Sequence, residues 1–97
     1  MRMMLKFTAP VERSNQAIKD GSLKKTLESL MARLKPEAAY FGPQDGKRAA
    51  MIFFDMAESS NIVEICEALF LSLDAEVEFI PVMNADELGK GLANSGF

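Results

Sequence analysis

Apolar and polar positions alternate with a period of two over residues 2–8 (RMMLKFT): Met3, Leu5 and Phe7 are apolar, whereas Arg2, Met4, Lys6 and Thr8 are mixed. That period puts alternate side chains on opposite faces of a strand. Ala9-Pro10 ends this first strand, because proline has no N–H to give to a β-ladder. From about Val11 or Ser14 to Leu34 the period becomes helical, with Leu23, Leu27, Leu30, Met31 and Leu34 on one stripe. Gly21 interrupts the stripe at a cost of about 1 kcal/mol relative to alanine. The helix therefore kinks there or begins anew with Ser22 as its cap. Pro36 closes the segment, since the residue before a proline is pushed out of the α region.

Residues 36–56 (PEAAYFGPQDGKRAAMIFFDM) read as two strands joined at Asp45-Gly46, a pair that readily supplies the positive φ angles of a tight hairpin. Glu58, Ser59, Ser60 and Asn61 carry helix-start chemistry. Ile62, Ile65, Cys66, Leu69, Phe70 and Leu73 then trace a second amphipathic helix. Residues 75–82 (AEVEFIPV) alternate again as a last strand, and Asn84 with Glu87 forms a capping-box pattern opening a short helix over about 85–90. Gly89 and Gly91 are its expected stop, with a loose tail beyond. The order β-α-β-β-α-β predicts an α+β fold: a ferredoxin-like sandwich with a four-stranded antiparallel sheet and both main helices on one face. The first and third strands are then central. The second and fourth are edges, and they hold the strand prolines Pro43 and Pro81, where a missing N–H is tolerated.

The third strand changes this picture, because both of its faces are apolar. Ala50, Ile52, Phe54 and Met56 project to one side, and Ala49, Met51 and Phe53 to the other. Helices on one face leave the other uncovered, and an exposed stripe of this kind is an aggregation hazard. We expect the same face of a second copy to cover it, giving a homodimer with Ala50, Ile52 and Phe54 at the interface. The alternative cover is the short C-terminal helix folded back over the sheet of a monomer.

The element order and the open apolar face resemble the dimeric α/β-barrel superfamily, in which two ferredoxin-like protomers pack sheet to sheet. The runs SNQAIKDGSL, KPEAAYFGPQDG and ALFLSLDAEVEFIPVMNADEL are similar to a small group of uncharacterised bacterial proteins assigned to that superfamily. The resemblance covers most of the chain and carries no catalytic motif. It implies a range that includes monooxygenases of small aromatic compounds, lactone isomerases, haem-handling enzymes and ligand-sensing domains, and a fold shared this widely selects none of them.

Composition narrows the range. Ninety-seven residues, 48% hydrophobic and 26% charged, describe one domain over 1–97 of ordinary globular character. A net charge of −3 argues against a nucleic-acid partner. The absence of a leader pattern or a run of about 20 apolar residues argues against a membrane partner and for a cytoplasmic chain. Cys66, the single cysteine, reads as a small buried hydrophobe. With no histidine, the commonest general base and metal ligand is missing, and no metal or cofactor is expected.

The remaining candidate chemistry is a thin set of polar residues on apolar strands. Lys6, Tyr40, Arg48 and Asp55 are the candidate ligand-binding residues, with Lys6 holding an anion and Tyr40 orienting an aromatic or carbonyl group. The structural alternative pairs Lys6 with a carboxylate such as Glu78, leaves Arg48 as a solvated strand start and uses Asp55 to cap a turn. Three classes of function stay open: a dimeric small-molecule-binding module, a cofactor-independent monooxygenase or isomerase acting on a small aromatic or lactone, and a structural protein-interaction domain.

Overall fold

The computed structural model describes residues 1–97. Strand β1 (Arg2–Ala9) is followed by helices α1 (Val11–Lys19) and α2 (Ser22–Leu34), and the hairpin by β2 (Ala38–Gln44) and β3 (Lys47–Asp55). Helix α3 (Asn61–Leu73), strand β4 (Glu76–Pro81) and helix α4 (Ala85–Asn94) complete the chain. The strands form one antiparallel sheet in the order β2-β3-β1-β4. As the pattern predicts, β1 and β3 are central, and Pro43 and Pro81 lie in edge strands.

Local chemistry accounts for the breaks. Asp45 (φ 53°) and Gly46 (φ 74°) make the two-residue turn of the β2-β3 hairpin, which sets Gln44 opposite Lys47. Between α1 and α2 the chain restarts rather than kinks. Gly21 takes φ 81°, a left-handed conformation that costs an L-residue about 1–2 kcal/mol. Gly21, not Ser22, therefore occupies the cap position, and Asp20 Oδ1 accepts the Ser22 N–H at 2.8 Å. The Asn84–Glu87 capping box forms in both directions. Gly89 and Gly91 do not stop α4, which runs through both to Asn94. A glycine in the right-handed region weakens a helix without ending it.

The core lies between one face of the sheet and α1–α3. Met3, Leu5, Phe7 and Ala9 of β1 and Ala50, Ile52 and Phe54 of β3 meet Ala17, Leu30, Ile65, Leu69 and Leu73. Each fully buried Leu or Ile contributes about 1.5–3 kcal/mol.

This placement corrects one expectation. Ala50, Ile52 and Phe54 are 2%, 0% and 2% exposed beneath the helices, so they are not an uncovered stripe available to a second copy. The register explains why: Phe7 pairs with Ala50, Leu5 with Ile52 and Met3 with Phe54, so the uniformly apolar face of β1 takes these residues to its own side.

The open face carries the other parity. Met4, Met51 and Phe53 are half-buried there, and Tyr40 and Ile80 are exposed. Helix α4 does not fold back to cover this face, since none of its residues is buried. It is tied at its first turn, where Glu87 pairs with Arg2, whose Nε also meets Glu37 at 2.6 Å.

Candidate functional site

Side-chain size tapers along the helix-covered face of the sheet. At one end Met3 faces Phe54, whereas at the other Phe7 faces Ala50 and Ala9 faces the start of β3. Small side chains leave space unless the opposing layer closes onto them. Here it does not close, because Leu23 and Leu27 of α2 meet this end of the sheet without filling the space over Ala9 and Ala50. Phe41, on the helix-facing side of the edge strand β2, stays 56% exposed.

The result is a cavity of about 380 Å³, within the ~300–1,000 Å³ common for ligand sites. Phe7, Ala9 and Ala50 of the sheet form its buried floor, and Leu23 and Leu27 of α2 with the buried Leu73 of α3 line it from the helix layer. The exposed residues Phe41, Gly42, Pro43 and Arg48 line its open side. The lining is almost wholly apolar.

Its polar groups come from α1 and β3. Arg48 Nη1 donates to Ser14 Oγ at 2.7 Å and to Asn15 Oδ1 at 2.9 Å. The fully buried Ser14 hydroxyl can donate in turn to the Val11 carbonyl at 3.3 Å, which leaves its lone pairs for Arg48. Ser14 thus sits in a closed hydrogen-bond chain with no base upon it, an arrangement that holds a side chain in place and does not activate a nucleophile.

Of the four sequence-level candidates, the structure brings only Arg48 to this cavity. Lys6 lies on the open face opposite Glu78 and Met51, beside a charged cleft of about 90 Å³ that also includes Asp45, Lys47 and Glu76. Tyr40 is on the open face too, edge-on to Phe53 with ring centroids 6.5 Å apart. Asp55 accepts from the Met1 amine at 2.8 Å, and this contact holds its carboxyl below the usual carboxylate range. Arg48 is bound to neighbouring side chains rather than simply solvated. Burial, with a smaller contribution from Glu67, pushes the half-buried Cys66 thiol up from its ordinary value, so it is a poor nucleophile.

The sequence reading missed Ser14 and Asn15. A signal for Ser14 was present: it stands three residues after Val11 and three before Ala17, on the stripe α1 turns to the core. A polar residue at such a position needs a partner, and the structure supplies Arg48 from a strand 34 residues away.

No protein-family model and no curated protein matches the chain. Among solved structures it is similar to the de novo designed protein Ferredog-Diesel, with 13% sequence identity and a TM-score of 0.50, covering 84% of this chain and 85% of the design. A likeness at that identity speaks for fold alone. The chain is a ferredoxin-like α+β protein, as its element order predicts. No helix is long and apolar enough to cross a membrane.

Proposed function

We propose that this protein is a non-catalytic small-molecule-binding module, cytoplasmic and homodimeric in the manner of the dimeric α/β-barrel proteins it resembles. The ligand occupies the 380 Å³ cavity between the sheet and helices α1 and α2, and the open face of the sheet packs on a second copy. The cavity carries the reading: a space of this size with an almost wholly apolar lining and one anchored polar group is the usual make-up of a small-ligand site. The half-buried Met4, Met51 and Phe53 with the exposed Tyr40 and Ile80 support the dimer, since α4 leaves them uncovered.

The test is a titration followed by NMR with four small probes: 1-hexanol, hexanoate, benzyl alcohol and benzoate. Binding of at least one, with shifts centred on Phe7, Leu27 and Ala50 and lost when Leu27→Trp fills the cavity, is the expected result. If no probe binds, or the shifts fall elsewhere, the reading fails.

A further inference from the structure

The chain has four arginines, and three of them pair with carboxylates: Arg2 with Glu37 and Glu87, Arg13 with Asp74, and Arg33 with Glu64. Arg48 is the exception. Its only side-chain partners are the neutral oxygens of Ser14 and Asn15, both bound through Nη1. The donors on Nε and Nη2 carry no partner, and these form one of the planar edges with which a guanidinium grips a carboxylate through two parallel bonds.

The guanidinium is also held. Ser14 is fully buried on α1 and Asn15 follows it, so a helix fixes the orientation of a charge that starts on β3. An unneutralised, oriented cation at the rim of an apolar cavity complements a molecule with the opposite arrangement.

We propose, resting on the cavity reading above, that the ligand is a small monocarboxylic acid with an apolar aliphatic or aromatic body. The body fills the space between Phe7, Ala50 and Leu27, and the carboxylate accepts from Nε and Nη2 of Arg48. Lys6 takes no part, since it lies on the other face of the sheet. The distinction matters because an apolar body alone selects weakly among hydrophobic molecules, whereas a two-bond ion contact selects for charge and planarity.

The experiment compares each acid with its matched alcohol: hexanoate against 1-hexanol, and benzoate against benzyl alcohol. The proteins are the unmodified chain, Arg48→Gln, Arg48→Lys and the control Lys6→Gln. We expect each acid to bind the unmodified chain and the control about tenfold more tightly than its alcohol, a difference equivalent to about 1.4 kcal/mol. In Arg48→Gln acid and alcohol should bind about equally, the acid having lost its tenfold advantage. Arg48→Lys should keep part of the preference, because it keeps the charge and loses the fork.

Equal binding of acids and alcohols to the unmodified chain overturns the carboxylate assignment and leaves the cavity reading standing. An acid preference that survives in Arg48→Gln, or that disappears in Lys6→Gln, overturns the role of Arg48. Binding of none of the four probes overturns the cavity reading and the assignment with it. If Arg48→Gln does not fold, the partial preference of Arg48→Lys decides, and an undiminished preference there counts against the two-bond contact.

Discussion

Gly21 and Ser14 show how much a single position carries in this protein. Gly21 holds φ 81° between α1 and α2, and a Cβ built there meets nothing within 4 Å. The demand for glycine is therefore conformational, with no steric part. Gly21→Ala should lower stability by about 1–2 kcal/mol, seen as an earlier midpoint in urea denaturation. An unchanged midpoint would mean that the α1–α2 joint does not need the left-handed conformation. The interruption at Gly21 was legible in the sequence; the choice between kink and restart was not, because it depends on where α1 and α2 each find a packing surface. Ser14 was legible only as an anomaly on an apolar stripe. Its partner lies on a strand far along the chain, and no local pattern connects the two.

Helix α4 is the element least explained by the contacts of its own chain. Its start is well specified by the Asn84–Glu87 box, by acidic residues Asp86 and Glu87 in the first turn and by the Arg2–Glu87 pair. Its interior holds Gly89 and Gly91, each worth about 0.5–1 kcal/mol less than alanine in a helix, and it buries no residue. Ten-residue helices are marginal in water without packing. Replacing both glycines by alanine meets no atom within 4 Å and should raise the helicity of residues 85–94, read from backbone NMR secondary shifts. Unchanged shifts would show that glycine is not what limits this helix. Strands and the hairpin were easier to read than helix ends. Alternation and the Asp45-Gly46 pair act between near neighbours, whereas a helix end competes with several residues able to cap or continue it.

In the assembled molecule, two neighbouring side chains of β3 have opposite duties. Ile52 is fully buried under the helices, and Phe53 faces the open side beside Met4 and Tyr40. Ile52→Ala should cost about 2–5 kcal/mol of folding stability in denaturant titrations. Phe53→Glu should leave the far-UV circular dichroism of the fold intact and convert the proposed dimer into a monomer in sedimentation equilibrium. A Phe53→Glu protein that keeps the dimer mass would remove the open face as the interface. The contrast separates the two faces that the alternation of β3 leaves equivalent.

Element order, the central and edge places of the strands, the hairpin turn and the fold all follow from local rules: periodicity, proline's missing N–H and the positive φ of Asp45 and Gly46. The face of β3 that the helices cover does not follow from such rules. Period two divides a strand into two sets of residues but does not say which set points inward. That was decided by the pairing of Leu5 with Ile52, a contact between strands 47 positions apart. The cavity likewise needed the fold. Ala9 and Ala50 are merely small in the sequence, and only the fold gathers them with Leu23, Leu27 and Phe41 around one space and brings Arg48 to Ser14 beside it. Short-range chemistry specified the elements, and long-range register and the seating of the helices specified the site.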